Sequence, residues 1–284
     1  MKHLTVTLSG LCFLLFAVYC SAEKVQITSK DNKSLLANYL PGTTELNPII
    51  ILHGFLQTNE FPTVSRLANT LNESGYSVLS PTLSLGLSNR KQSLSCEAIH
   101  THSLISEADE LTQWIEWLNN KTGKPVILIG HSAGGLVILQ YMLDKNASLV
   151  QQTILISLSY YAEGPTANEN SALATKAEST INEGSDKIDT YALNYCKNYP
   201  TTASNFLSYY KWNKEKTNNT VFKFRDKIAI IIGTDDKRID SDWKQKLQLK
   251  NSNVISIDGA NHFFDQTYEF DLIDAVEKLL VEKG

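Results

Sequence analysis

The 284-residue sequence lacks three features that would each indicate a specialised class of protein. Charge of one sign is not in excess, because 26 Lys and Arg stand against 30 Asp and Glu, a net charge of −4. This balance argues against nucleic acid as a partner, since such partners attract strongly basic surfaces. There is no internal repeat and no low-complexity tract, and beyond the N-terminus no apolar run is long enough to cross a membrane.

The long apolar run of the sequence lies at its N-terminus. Lys2 gives a weakly basic start, residues 11–19 are apolar, and small residues lead up to Ala22. These features predict a secretory signal peptide over residues 1–22 and therefore an exported protein, periplasmic or secreted. Two alternatives remain open: lipidation at Cys20, and an uncleaved anchor, since the run is near the lower length limit for spanning a bilayer.

Cysteine is scarce in the rest of the chain, residues 23–284, whose length suits one α/β domain with an insertion. Of the four cysteines, only Cys96 and Cys196 follow the predicted signal peptide. An even number of cysteines in an exported protein predicts a disulfide between them. Such a crosslink would stabilise the fold by roughly 4–5 kcal/mol in the chain-entropy model. Two free buried thiols are the alternative.

A strand, a tight turn and a helix are predicted around the sequence Gly130-His131-Ser132-Ala133-Gly134. The apolar, β-branched run 126–129 precedes it, and an apolar stretch of helical character follows. The turn requires a strained backbone with positive φ at Ser132, and the two glycines leave room for it. It lifts the serine hydroxyl clear at a helix N-terminus, where negative charge is favoured. In this context the motif resembles the nucleophile elbow of the α/β-hydrolase superfamily.

This resemblance implies an oxyanion hole formed by backbone groups. The core strand 48–52 leads directly into His53-Gly54-Phe55, where the superfamily begins its oxyanion loop. The implied donors are the N–H groups of Phe55 and Ala133, which would bind a carbonyl oxygen as it becomes negative. His53 is expected to pack and shape the loop, because the superfamily orders its triad as serine, acid, histidine.

The resemblance also implies an acid and a base after later strands. His262 lies in a glycine-containing turn after the last predicted strand, and it would take the proton from Ser132 and return it to the leaving group. Asp236 lies three residues after a glycine that ends an earlier strand, and it would orient His262 and stabilise its cation. Asp235 is the nearest alternative acid, and Glu163 is a more remote one. Ser132, the acid and the histidine occur in the order that the superfamily uses. This order argues against the alternative that the serine in the turn is incidental.

A polar loop over residues 82–102 is predicted at the carboxyl end of the sheet, where α/β folds place their sites. It holds His100 and His102, which either contact substrate or pack under the loop. With no third ligand nearby we predict no metal site, since zinc usually needs three or four protein ligands. Arg90 and Lys91 could meet an anionic substrate group, although a solvated loop is the default expectation.

Apolar periodicity predicts several elements around these motifs. A hairpin is expected over 24–40, a strand over 76–79, a helix over 61–75 and an amphipathic helix over 104–118. In the helix over 104–118, four acidic residues lie off the apolar stripe, which assigns them to the polar face: Glu107, Asp109, Glu110 and Glu116.

Residues 161–220 differ from the rest in being rich in Asn, Ser, Thr and Ala, with no long apolar strand. The superfamily often forms a lid from an insertion at this point, and the resemblance implies one here. Its aromatic side chains either line a substrate pocket or hold the lid together: Tyr191, Tyr195, Tyr199, Tyr209, Tyr210 and Trp212.

Together these motifs predict an α/β-hydrolase fold with a mostly parallel central sheet, helices on both faces and an inserted lid. Residues 51–83 are also loosely similar to poorly characterised exported α/β-hydrolase-like proteins of proteobacteria. We predict a serine hydrolase that cleaves a carboxylic ester of a small-molecule or lipid acyl substrate, with no cofactor. Acyltransferase, thioesterase and peptidase activities use the same triad, and a non-catalytic binding protein on this fold is a further alternative.

Overall fold

The computed structural model describes residues 22–43, 45–145, 147–161, 167–250 and 253–281. Apart from Ala22, the predicted signal peptide lies outside the described residues, as does Glu163. Within the described ranges, no helix combines the length and the apolarity that crossing a membrane requires.

The described residues form strands and helices in alternation. The strands are β1 (Glu23–Thr28), β2 (Ser34–Leu40), β3 (Ile49–Leu52), β4 (Val78–Thr82), β5 (Val126–His131), β6 (Val150–Ile156), β7 (Ile188–Leu193), β8 (Cys196–Thr202), β9 (Ile228–Gly233) and β10 (Val254–Ile257). The α-helices are α1 (Pro62–Glu73), α2 (Leu104–Thr122), α3 (Ala133–Asp144), α4 (Ala167–Asn182), α5 (Ala203–Tyr210), α6 (Lys214–Lys223), α7 (Ser241–Lys250) and α8 (Tyr268–Val281).

Eight of these strands form one sheet in the order β1-β2-β4-β3-β5-β6-β9-β10. The predicted hairpin is confirmed as β1 and β2, which are antiparallel, and β2 also pairs antiparallel with β4. All other pairs in this sheet are parallel. Parallel strands end at the same edge, so the loops after β3, β5, β6, β9 and β10 meet there.

Helices cover both faces of the sheet, and β3 and β9 are apolar throughout for that reason. In β3, Ile49 and Ile51 belong to the core under α1 and α8, whereas Ile50 and Leu52 belong to the core under α2 and α3. Successive side chains of a strand point to opposite faces, so a strand covered on both sides has no polar face. The predicted fold class is confirmed.

The strand predicted over 76–79 continues further than the sequence indicated. β4 includes Pro81, which pairs with Ala37 of β2. The pairing of β4 with β3 ends at Leu79, so Pro81 has a strand on one side only. Proline is tolerated there because no ladder bond is required on the open side.

The segment between β6 and β9 contains more regular structure than its composition indicated. β7 and β8 form a separate antiparallel hairpin, which packs with α4 and α5. α5 also lies against α2 of the main domain, and α6 packs on α3. We call the described residues 167–212 of this segment the insert.

The predicted disulfide between Cys96 and Cys196 is confirmed, with 5.3 Å between the two Cα atoms. It joins the loop between β4 and α2 to the first residue of β8. The same two segments also share backbone contacts, because the His100 N–H donates to the Pro200 carbonyl at 2.8 Å. The loop and the insert are therefore connected by covalent and hydrogen bonds.

Candidate active site

Ser132 lies in the turn between β5 and α3 with φ 54° and ψ −123°, so the predicted positive φ is confirmed. Its neighbours approach closely. A Cβ on Gly130 would lie 2.7 Å from the nitrogen of Gly135, and one on Gly134 would lie 2.6 Å from the carbonyl oxygen of His53. Real Cβ atoms do not tolerate such distances, so this turn requires glycine at both positions.

The structure brings together the three side chains predicted as a triad. The Nε2 atom of His262 lies 2.9 Å from the Oγ of Ser132, and its Nδ1 lies 2.7 Å from Oδ2 of Asp236. A carboxylate can only accept, so Nδ1–H donates to Asp236 and the Nε2 lone pair faces the serine hydroxyl. All three side chains are buried. This arrangement suits transfer of the hydroxyl proton from serine to histidine.

The two aspartates after β9 differ in burial and in their contact with His262. Asp236 is buried and contacts His262, whereas Asp235 is exposed. The second oxygen of Asp236 accepts from the backbone N–H of Arg238 at 2.9 Å, which fixes the carboxylate. Gly233 lets the two loops meet, since a Cβ there would collide with the carbonyl of Ala260.

Two residues hold the backbone of His262 in place, and the sequence predicted neither role. The carbonyl oxygen of His262 accepts from the hydroxyl of Ser157 at 2.8 Å and from Nε2–H of His131 at 3.0 Å. Burial, followed by the proximity of His262, lowers the pKa of His131 to about 4, which keeps its ring neutral. The sequence offered one indication of the role of Ser157, which is its position directly after β6. This strand neighbours β5, the strand that leads into Ser132.

The oxyanion loop lies against Ser132, since a Cβ on Gly54 would be 3.5 Å from the Cβ of the serine. His53 shapes this loop, as predicted. Its Nδ1–H donates to the Gly54 carbonyl at 2.9 Å, and its Nε2 accepts from the N–H of Leu83 at 3.0 Å. Burial, with a smaller contribution from nearby Arg90, lowers the pKa of His53 to about 3.

Arg90 was expected either to meet an anionic substrate group or to lie in a solvated loop, and the structure shows neither. Its guanidinium is buried and donates to the carbonyl oxygens of Leu83, Gln57 and Gln92. Burial lowers its pKa to about 10, so it stays cationic near neutral pH. Arg90 therefore organises the loops around His53.

His100 and His102 pack under the loop, in a buried polar cluster that spans the loop, α2 and the insert. His102 Nδ1 lies 2.7 Å from Oε1 of Glu107, and its Nε2 lies 3.2 Å from the hydroxyl of Tyr199. Tyr209 also donates to Glu107, and His100 stacks on Tyr199 with ring centroids 4.0 Å apart. Among the described residues, no three His, Cys, Asp or Glu side chains are grouped as a metal site would require.

Of the two roles predicted for the aromatic residues of the insert, the structure shows packing. Most are buried and hold the insert together or against the main domain: Tyr191, Tyr199, Tyr209 and Trp212. Tyr195 differs, because its hydroxyl reaches the oxyanion loop and donates to the carbonyl of Phe55 at 3.2 Å.

The assignment of Glu107 and Glu110 to a polar face of α2 is wrong, because the loop between β4 and α2 covers that face. Both side chains are buried. Glu110 accepts from the backbone N–H of Ser84 at 2.9 Å, and burial raises its pKa to about 7. Glu107 faces the cluster of His102 and Tyr209.

Comparison with known proteins agrees with this geometry. The profile of the alpha/beta hydrolase family matches residues 49–270. Among solved structures, Est1E from Butyrivibrio proteoclasticus has 16% identity and a TM-score of 0.62, over 92% of this chain and 98% of that one. A soluble variant of monoglyceride lipase from Saccharomyces cerevisiae, in complex with a substrate analog, has 14% identity and a TM-score of 0.65, over 93% and 95% of the two chains.

A thioesterase domain from the curacin biosynthetic pathway has 13% identity and a TM-score of 0.56, over 92% of this chain and 99% of that one. No curated protein sequence matches the chain. At these identities the structural similarities concern the fold, whereas the family profile spans most of the sequence. The chain belongs to the alpha/beta hydrolase family.

Proposed function

We propose that this protein is a serine hydrolase that cleaves a carboxylic ester through an acyl-enzyme on Ser132. The observation that carries the proposal is the continuous hydrogen-bonded series from Ser132 Oγ through His262 to Asp236, at 2.9 and 2.7 Å. Serine is a weak nucleophile at neutral pH and needs an adjacent base. His262 supplies that base, and Asp236 fixes the tautomer that leaves Nε2 free to accept.

In the first half-reaction, Ser132 Oγ attacks the carbonyl carbon while its proton passes to Nε2 of His262. The carbonyl oxygen becomes an oxyanion and accepts hydrogen bonds from the N–H groups of Phe55 and Ala133. When the intermediate collapses, the bond to the leaving alcohol breaks, and His262 returns the proton to the alcohol oxygen. The acyl group remains as an ester of Ser132.

In the second half-reaction, water replaces the alcohol. His262 removes a proton from the water as it attacks the acyl carbon, and the same two N–H groups bind the second oxyanion. Collapse breaks the bond to Ser132 Oγ, which regains its proton from His262. The products are the carboxylic acid and the free enzyme.

The insert acts in this proposal as a lid over the site. Its support is the hydrogen bond from Tyr195 to the Phe55 carbonyl and the stacking of Phe55 among insert aromatics, including Tyr199 at 5.7 Å. The Cys96–Cys196 disulfide supports the accompanying proposal of export, because such bonds persist in oxidising compartments.

The names of the similar structures favour acyl chemistry without fixing the leaving group, since they include a monoglyceride lipase and a thioesterase domain. The triad positions are all filled, which argues against a non-catalytic binding protein. Hydrolysis needs only water as its second substrate, whereas acyl transfer needs a further acceptor.

The test uses a fluorophosphonate probe on the purified, disulfide-intact protein, with mass spectrometry to locate the adduct. We expect labelling at Ser132 that is lost in Ser132→Ala and in His262→Ala. Ser80→Ala is the matched control, since Ser80 is a buried serine on β4, and it should retain the adduct. A folded protein that is not labelled, or that is labelled equally after Ser132→Ala, would contradict the proposed mechanism.

A further inference from the structure

A small cavity lies directly beside the proposed oxyanion donors. Its first wall consists of the oxyanion loop with Phe55 and the start of α3 with Ala133. Leu83, Leu85 and Val137 form most of the remaining lining. A carbonyl oxygen bound between the two donors would place its attached carbon chain next to this cavity, which is therefore suited to receive part of the acyl group.

Tyr161 and Glu107 also line the cavity, and so does His53, whose two ring nitrogens already take part in hydrogen bonds. The hydroxyl of Tyr161 is buried and has no hydrogen-bond partner among the described residues. Its ring is fixed, because it packs edge-on against Phe55 at 5.8 Å and Tyr209 at 5.0 Å. A buried hydroxyl without a partner destabilises a fold, so its presence here calls for an explanation.

Glu107 provides a complementary acceptor close to that hydroxyl. Its carboxylate contributes to raising the pKa of Tyr161 well above the usual value, after the larger effect of burial, so Tyr161 keeps its proton. The bonds from His102 and Tyr209 both reach Oε1 of Glu107. Within the described part of the chain, the other oxygen, Oε2, accepts no protein hydrogen bond.

From this placement we propose that the cavity is a subsite for the hydroxyl group of a short hydroxyacyl group. A hydroxyl can donate to Glu107 and accept from Tyr161 at once, which matches the two side chains. The inference rests on the proposed ester hydrolysis and specifies its substrate class.

The size of the cavity excludes larger groups. It has room for roughly one water molecule, which is also the space that a hydroxyl group needs. A long alkyl chain or an aromatic ring does not fit that space.

The experiment compares matched esters that differ by one hydroxyl group. The phenyl esters of propionate and lactate, and those of butyrate and 3-hydroxybutyrate in both enantiomers, are assayed for kcat/KM by phenol release. A hydroxyl also changes the intrinsic reactivity of an ester. The decisive quantity is therefore how the hydroxyacyl-to-acyl ratio of kcat/KM changes between the wild type and a variant.

We expect Tyr161→Phe to lower this ratio about ten-fold for at least one pair. Glu107→Gln should lower it in the same direction, and it serves as the second variant if Tyr161→Phe does not fold. Tyr191→Phe is the matched control. The Tyr191 hydroxyl is also buried without a partner among the described residues, but its ring stacks on Phe206 inside the insert.

A ratio that changes by less than about three-fold in Tyr161→Phe, or that changes equally in Tyr191→Phe, overturns the subsite. The first result would mean that the tyrosine hydroxyl meets only water. Failure of the proposed function is a separate outcome, because it appears as ester hydrolysis that persists in Ser132→Ala or that is absent for every ester.

Discussion

The hydroxyl of Tyr195, in the insert, donates a hydrogen bond to the backbone carbonyl of Phe55, in the oxyanion loop, at 3.2 Å. Their rings also meet edge-on, with centroids 5.6 Å apart. Phe55 contributes a proposed oxyanion donor through its own N–H, so this contact links the insert to a backbone segment whose orientation matters for the reaction.

Removal of this contact should slow the reaction without unfolding the protein. Tyr195→Phe keeps the ring and deletes the bond, so we expect kcat/KM for an ester to fall about two- to ten-fold, with little change in thermal stability. The effect is modest because Tyr195 is partly exposed and water can replace its hydroxyl. Tyr210→Phe, another tyrosine of the insert, is the control. Unchanged kcat/KM in Tyr195→Phe would show that the contact does not orient the loop.

The two neighbouring aspartates provide a matched test of the acid. Asp236→Asn should lower kcat by about three to four orders of magnitude, because an amide no longer stabilises the histidine cation or its required tautomer. Asp235→Asn should leave kcat within about two-fold, since this side chain is exposed. Equal losses in the two variants would contradict the assignment of Asp236.

The disulfide should contribute to stability across a large part of the chain. Replacing Cys96 and Cys196 together by serine should lower the free energy of unfolding by about 2–4 kcal/mol. The measurement is thermal or urea unfolding with and without reductant. Reductant should destabilise the wild type and leave the double variant unchanged. A wild type that is as stable reduced as oxidised would contradict this contribution.

Glu110 should make stability depend on pH in an identifiable window. Burial raises its pKa from the usual 4.5 to about 7, so the folded state favours the protonated form. The stability that this preference gives is fully present below pH 4.5 and is lost as the pH rises through 7. Relative to the wild type, Glu110→Gln should therefore gain about 2–3 kcal/mol in unfolding free energy between pH 5 and pH 8.

Urea titrations at the two pH values measure this gain. Glu116→Gln is the control, because Glu116 lies on the same helix and is exposed. It should show no such dependence on pH. If Glu110→Gln and the wild type respond to pH in parallel, then Glu110 does not titrate in this range.

Much of the site was predictable because each of its parts follows a strand that is itself recognisable. Ser132 and Asp236 come after apolar runs that form strands inside the sheet, and His262 follows the edge strand β10. Parallel strands bring their following loops to one edge. The glycine spacing around Ser132 even indicated its positive φ. Such features are local in sequence.

The polar residues that the sequence misplaced depend on contacts between distant segments. Glu107 and Glu110 have the spacing of a solvent-facing stripe, and they are buried only because a separate loop covers α2. Arg90 reads as a surface residue until the carbonyl groups around His53 are placed beside it. Ser157 holds the carbonyl of His262 across 105 positions of sequence, which no periodicity reveals.

The crosslink between Cys96 and Cys196 has a mechanical consequence for access to the site. In the oxidised protein, the loop that carries Leu83 and Leu85 and the insert that carries Tyr195 cannot separate at the crosslink. The lid proposed above would therefore open only together with this loop, and the contact between Tyr195 and Phe55 would have to part as the lid moves.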